Sequence, residues 1–188
     1  MRKKFSALEI AKAVIAEKVR EGDLCIDATA GNGNDTAFLA ELAGDTGHVI
    51  AFDIQQQAVD NTLALLREKG LDKRAEVHLA SHEDMDRYAE AGTVSCITFN
   101  FGWLPGGDHT VHTETRSSIA AVKKALTLIK PGGLISMILY YGRDTGFEEK
   151  NALLEFVKTV DSGEFTVITA EFSNRPNCPP IPIFILRE

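Results

Sequence analysis

Short apolar runs alternate with helical-period segments along most of the chain. Leu24–Asp27, His48–Asp53, Ala75–Leu79, Val94–Asn100 and Leu134–Tyr140 are rich in aliphatic, β-branched and aromatic residues and too short for typical helices, so they read as buried strands. Residues 35–43, 55–69, 113–129 and 148–160 carry the spacing and composition of helices between them. Gly44 and Gly70 mark the ends of the first two, and Pro131-Gly132-Gly133 follows the third. Before the first strand, Leu8, Ala11, Val14, Ile15 and Val19 predict one more helix, with Ser6 as its N-cap and Glu9 three residues on. Ser81–Asp84 opens a short helical or irregular connection. The tail changes character: Glu164–Phe172 and Ile181–Leu186 read as strands joined by the rigid loop Asn174–Pro180, with no helix between them. Strand–helix alternation predicts a mostly parallel sheet covered by helices, closed by an antiparallel hairpin. Without repeats, linkers or low-complexity segments, residues 1–188 are expected to form one domain.

Composition narrows this α/β picture only slightly. The 188 residues are 44% hydrophobic, which suits a globular chain with a substantial core. No run approaches the roughly 20 apolar residues of a membrane span. Met1-Arg2-Lys3-Lys4-Phe5 is followed by no apolar signal segment, because Glu9, Lys12 and Glu17 interrupt it; a cytoplasmic location is expected. Cys25, Cys96 and Cys178 are odd in number and far apart, so free thiols are expected, and no Cys/His group has zinc spacing. The net charge of −7 argues against coating nucleic acid non-specifically, but not against an enzyme that reads one RNA loop.

Candidate chemistry begins where the first strand ends. Asp27-Ala28-Thr29-Ala30-Gly31-Asn32-Gly33-Asn34-Asp35-Thr36 places a glycine turn between a strand and a helix, the way an open α/β sheet builds a nucleotide-sized crevice. Thr36 fills the third glycine position of the dinucleotide pattern, and the turn lacks the Gly-Lys pair of a phosphate loop. Asp27 and Asp35 add negative charge that disfavours phosphate and favours a cation. Asp53, closing the second strand, can accept the hydroxyls of a ribose. A sulfonium, an amino group, a ribose and no phosphate describe S-adenosylmethionine. Thr29 and the Gly31–Gly33 amides are expected to hold its methionine end, with Ser81 and His82 near the adenine.

A second constellation follows the fourth strand: Asn100-Phe101-Gly102-Trp103-Leu104-Pro105-Gly106-Gly107-Asp108-His109. Ligands of open α/β sheets bind at the carboxyl ends of strands, so this segment should face the reactive group. Asn100 can hold an amine N–H through its side-chain oxygen, and Trp103 offers a stacking plane for a base. Asp108, His109 or His112 can take or relay a proton. Tyr140, closing the fifth strand, is a further candidate for the pocket wall.

These segments together resemble a known family. Asp27–Thr36, Phe52-Asp53-Ile54-Gln55, Asn100–Asp108, Tyr140-Tyr141-Gly142-Arg143 and Asn177 with Pro179-Pro180 are similar to the family labelled rRNA methylases, whose better-understood members are tRNA methyltransferases of the MnmM type. The resemblance covers nearly the whole chain. Asn34, Trp103 and Arg143 stand where relatives often carry His, Tyr and His. It implies a Rossmann-like class I methyltransferase with a seven-stranded sheet and an N-terminal helix. The implied reaction moves a methyl group from S-adenosylmethionine to the amine of 5-aminomethyl-2-thiouridine at the tRNA wobble position; rRNA or a small-molecule amine is the alternative acceptor. The residues implied for the cofactor are Asp27, Thr29, Gly31, Asn32, Gly33, Asn34, Asp35, Thr36, Asp53, Ile54, Gln55, Ser81, His82 and Asn100. Those for catalysis are Asn100, Asp108 and His109, and those for the substrate are Trp103, Leu104, Pro105, Gly107, Tyr140 and Arg143, with no metal. The implied partners are a tRNA anticodon loop and a second copy of the chain, with no membrane.

Overall fold

The computed structural model describes residues 5–102, 115–142 and 146–188. Among these residues, five helices, α1 (Ala7–Lys18), α2 (Asn34–Ala43), α3 (Gln56–Glu68), α4 (Thr115–Leu128) and α5 (Phe147–Val157), surround seven strands. The strands are β1 (Leu24–Asp27), β2 (His48–Asp53), β3 (Ala75–Leu79), β4 (Val94–Phe101), β5 (Ile129–Leu139), β6 (Phe165–Thr169) and β7 (Ile181–Arg187). A 3-10 helix, His82–Arg87, follows β3. The strands form one sheet in the order β3-β2-β1-β4-β5-β7-β6. β7 runs antiparallel to both of its neighbours, inserted between β5 and β6. This is the seven-stranded arrangement that the resemblance implies.

The continuous apolar character of β1, β2 and β4 follows from burial on both faces. On one face, α4 and α5 cover Ile26, Phe52, Ile97 and Phe99. On the other, α1, α2 and α3 cover Cys25, Val49, Cys96 and Leu134. The first helix starts where its capping box predicts: Ser6 N–H donates to Glu9 Oε2 at 2.8 Å, and Glu9 N–H donates to Ser6 Oγ at 3.2 Å.

Boundaries differ most around β5. The expected start was Leu134, yet pairing begins at Ile129 opposite Val94 and resumes at Leu134 opposite Cys96. Pro131-Gly132-Gly133 forms an irregularity inside the strand rather than a separate loop, with Gly132 at φ +77°. The strand expected over Glu164–Phe172 is limited to Phe165–Thr169, the part that pairs with β7. Among the described residues, no helix is long and apolar enough to cross a membrane.

Strand order reverses between β1 and β4, because β2 lies on one side of β1 and β4 on the other. A crevice opens at such a switch point, outside the carboxyl ends of the strands. Asp27 and Asp53 end strands, Asn100 is the penultimate residue of β4, and Tyr140 follows β5, all at that edge.

Candidate active site

The turn after β1 is held by its own acids. Asp27 is 0% exposed and accepts from Thr36 Oγ1 at 2.6 Å, from the Thr29 N–H at 3.2 Å and from Thr98 Oγ1 at 3.4 Å. Burial pushes its carboxyl up to about 7, and the charge of Asp35 adds to the rise against the bonds from Thr36 and Thr29. Thr36 therefore directs its hydroxyl at Asp27. Asp53 reaches across the crevice: its two oxygens accept the N–H groups of Gly31 and Gln55, each at 2.9 Å. One carboxylate thus ties the glycine turn to the end of β2 and keeps lone pairs for a ligand hydroxyl.

The turn packs closely on α3. Gly33 lies at φ +80°, and a Cβ there would stand 2.8 Å from Thr62 Cα. Thr62 Oγ1 donates to Gly31 O at 3.2 Å, and Asn61 Nδ2 donates to Asn32 Oδ1 at 2.9 Å. Two of the three amides expected at the methionine end have partners within the protein. Gly31 N–H is held by Asp53, and Gly33 N–H donates to Ala30 O at 2.8 Å. A turn whose glycine N–H groups are committed inside the protein, with Asp35 in the first turn of α2, is poorly suited to phosphate. It suits a cationic ligand approaching carboxylates and carbonyl oxygens. Asn34 is the first residue of α2, over the same turn.

Asp35 connects the turn to β4. Asn100 donates through Nδ2 to Asp35 Oδ2 at 2.8 Å and through its backbone N–H to Thr29 Oγ1 at 2.7 Å. Since a carboxylate accepts only, this bond fixes which end of the amide faces Asp35. Oδ1 is then the acceptor that Asn100 offers elsewhere. From the other side, Lys12 Nζ lies 3.6 Å from Asp35 Oδ1 and 4.8 Å from the centroid of Phe38. Tyr140 is half-buried beside Gly102, where a Cβ would meet Tyr140 Cβ at 3.0 Å. Burial, reinforced by the charge of Asp35, raises the Tyr140 phenol, so it stays neutral near pH 7.

The adenine edge of the crevice can be tested against the residues present. Ile54 and Leu79, 59% and 54% exposed, stand at the ends of the paired strands β2 and β3. Exposed apolar side chains at that edge suit a flat aromatic ligand. Gln55 uses its backbone N–H on Asp53 and directly precedes α3. Ser81 caps the 3-10 helix, accepting from Glu83 N–H at 3.2 Å. His82 packs edge-on against Phe99 and Phe101, with centroids 6.2 Å away in both cases. Burial lowers its pKa, against a hydrogen bond to the Ala28 backbone, so the ring is neutral. Its Nε2 is buried and has no hydrogen-bond partner among the described residues. Apolar shelf, orphaned ring nitrogen, ribose-type acid and acidic turn together fit S-adenosylmethionine.

The structure thus gathers Asp27, Thr29, Gly31, Asn32, Gly33, Asn34, Asp35, Thr36, Asp53, Ile54, Gln55, Ser81, His82, Asn100 and Tyr140 around the carboxyl edge of the central strands. Trp103, Leu104, Pro105, Gly107, Asp108, His109, His112 and Arg143 lie outside the described residues. Lys12, Asn61, Thr62, Leu79 and Thr98 join the site without having been expected. Their partners lie far away in sequence, and no local motif marks them.

Comparison with known proteins agrees with this geometry. Residues 49–186 match the family model described as "Putative rRNA methylase". A chloroplastic protein of Arabidopsis thaliana named tRNA (mnm(5)s(2)U34)-methyltransferase is 35% identical over 191 residues, covering 97% of this chain and 70% of that protein. The crystal structure of a "putative rRNA-methylase" from Clostridium thermocellum superposes with a TM-score of 0.96 at 43% identity, covering 100% of both chains. That of a "putative methyltransferase" from Streptococcus mutans in complex with SAH superposes with a TM-score of 0.89 at 34% identity, again over 100% of both.

Proposed function

The chain belongs to this rRNA methylase family and is an S-adenosylmethionine-dependent methyltransferase; from that premise we propose that its acceptor is the amine of 5-aminomethyl-2-thiouridine at the tRNA wobble position. The observation that carries the amine chemistry is the Asn100 amide, oriented by Asp35 so that its oxygen can accept an amine N–H. The name of the Arabidopsis relative supplies the nucleoside. The product is 5-methylaminomethyl-2-thiouridine.

The cofactor supplies an electrophilic methyl carbon on a sulfonium. The protein binds, orients and dehydrates. Asp27 and Asp35 offer negative charge to the cationic end, and Asp53 offers acceptors to the ribose. Asn100 aims the amine lone pair, and positioning of this kind contributes about 7–11 kcal/mol in well-oriented systems. The amine must lose a proton before it attacks; Asp108 and His109 are the proposed acceptors, directly or through water. Tyr140, neutral at pH 7, forms one wall beside Gly102. Trp103, Leu104, Pro105, Gly107 and Arg143 are proposed for the base and its phosphates. The same reading places the enzyme in the cytoplasm as a one-domain homodimer acting on an anticodon loop.

The test is the tRNA nucleoside profile of a strain lacking the gene, read by mass spectrometry. The aminomethyl nucleoside should accumulate and its methylated form disappear; an unchanged profile would reject this acceptor. Purified enzyme should transfer labelled methyl to tRNA from that strain and not to its rRNA.

A further inference from the structure

Next to the acceptor end of the crevice lies a surface that none of the residues assigned so far explains. Tyr141 follows β5, and Phe147 opens α5 behind Gly146, its N-cap at φ +81°. Their rings meet edge to face, with centroids 5.6 Å apart at 78°. Lys150 Nζ stands 4.8 Å from the Tyr141 centroid and 5.9 Å from that of Phe147. Phe147 is 41% exposed, so much of its apolar surface faces solvent. The segment before β7 repeats the pattern: Arg175 Cζ sits 3.7 Å over the ring of Phe172.

Tyr141 packs with the α4–α5 face of the sheet and Phe172 with the α1–α3 face, and a strained turn links the two at the sheet's end. Asn177 and Cys178 take φ of +65° and +51°, left-handed conformations uncommon for residues other than glycine. That turn lays Cys178 against Gly142, where a Cβ would stand 3.4 Å from Cys178 Cβ. Burial, with the charge of Glu171 adding to it, raises the Tyr141 phenol, and the segment leading to β7 runs near it. Tyr140, the neighbour of Tyr141, already faces the candidate site.

We propose that Tyr141, Phe147 and Lys150 on one side of the sheet's end, and Phe172 and Arg175 on the other, dock the single-stranded nucleotides that flank the methylated one. The proposal rests on the RNA acceptor argued above and assigns the surface that grips it. Aromatic rings and guanidinium planes stack unpaired bases of any sequence, and the attached cations reach backbone phosphate. The charge balance fits a small footprint. Glu148, in the first turn of α5, and Glu171 lie close by, and the whole chain carries −7. This balance disfavours broad electrostatic capture, so stacking carries the contact. Two phosphate-neutralising cations on single-stranded RNA give a salt slope of roughly −1.4 for this patch.

The experiment uses the full-length enzyme and hypomodified tRNA, with methyl transfer and RNA binding measured separately. Phe147→Ala and Arg175→Ala should each raise KM for tRNA and Kd for an anticodon stem-loop by roughly five- to tenfold, the lower range for loss of one stacking plane. Affinity for S-adenosylmethionine and kcat at saturating RNA should stay at wild-type values. Phe147→Trp should restore binding, which a mere folding defect would not allow. Lys150→Ala should flatten the salt slope by about 0.7. Wild-type KM and Kd in both Phe147→Ala and Arg175→Ala would overturn the surface, whether or not tRNA is methylated. Weakened RNA binding by these variants, in an enzyme that methylates no tRNA, would uphold the surface and reject the acceptor reading instead.

Discussion

On the cofactor side of the crevice, Asp27 and Asp53 are held by neighbours before any ligand arrives: Thr36, Thr98 and the Thr29 N–H on one, the Gly31 and Gln55 N–H groups on the other. On the acceptor side, past β4 and β5, aromatic rings and cations stand half-buried or exposed: Tyr140, Tyr141, Phe147 and Lys150. The contrast reflects what each side must do. A small cation of fixed shape is best met by a preorganised acidic turn, whose side chains lose little freedom on binding. A nucleotide on a large, mobile loop is better met by flat surfaces that tolerate several bases. Asn100 stands between them, tied to the first side through Asp35 and Thr29 and offering its oxygen to the second.

The largest expected effect breaks that link. Asn100→Ala should lower kcat by about 10²–10³-fold, the range for losing one preorganised polar group, while S-adenosylmethionine affinity changes little. Steady-state kinetics with hypomodified tRNA checks the first and calorimetry the second. Wild-type turnover would remove Asn100 from the chemistry.

Asp53→Ala should damage the cofactor side alone. It removes the ribose acceptor and leaves two backbone N–H groups without their partner. Affinity for S-adenosylmethionine should fall more than about tenfold, and the protein should lose on the order of 2 kcal/mol. Calorimetry and denaturant melts would show both. Unchanged affinity would refute the ribose assignment.

Asp27 gives the cofactor side a pH signature. Between the ordinary carboxyl value of 3.8 and about 7, the folded protein keeps a proton that the unfolded chain has released. This group's contribution to stability therefore falls as pH rises through that window and is constant above it. Binding runs the other way, because the ionised carboxylate attracts a sulfonium. Affinity for S-adenosylmethionine should rise about three- to tenfold from pH 6 to pH 8, and the Asp27→Asn variant should lose that slope.

Lys12 yields the smallest effect. Its ion pair with Asp35 is partly solvated, so Lys12→Met should cost no more than about 1 kcal/mol of stability and lower kcat severalfold by loosening Asp35 against Asn100. Lys12→Arg should recover most of the rate; no change in either variant would confine Lys12 to packing on Phe38.

Legibility in sequence follows the same division. The glycine turn, the strand-terminal acids and the helix caps are local patterns, so Asp27, Gly33, Asp53 and the Ser6–Glu9 box could be read directly. Burial on both faces marks β1, β2 and β4 as continuous apolar runs. The contacts that complete the site are not local: Thr98 meets Asp27 across 71 positions, and Asn100 meets Asp35 across 65. No periodicity reports such pairs, because the sheet order brings them together. The strand at Ile129 was hidden for another reason: Pro131-Gly132-Gly133 has the composition of a loop, and only the backbone pairing of Ile129 with Val94 shows it to lie within a strand.

The most direct measurement is a crystal structure of the enzyme with SAH and an anticodon stem-loop carrying the aminomethyl nucleoside. The account predicts the SAH ribose on Asp53, its sulfur toward Asn100, and the amine nitrogen within hydrogen-bond distance of Asn100 Oδ1. An amine bound away from Asn100, or a sulfur facing away from the ends of β4 and β5, would contradict it.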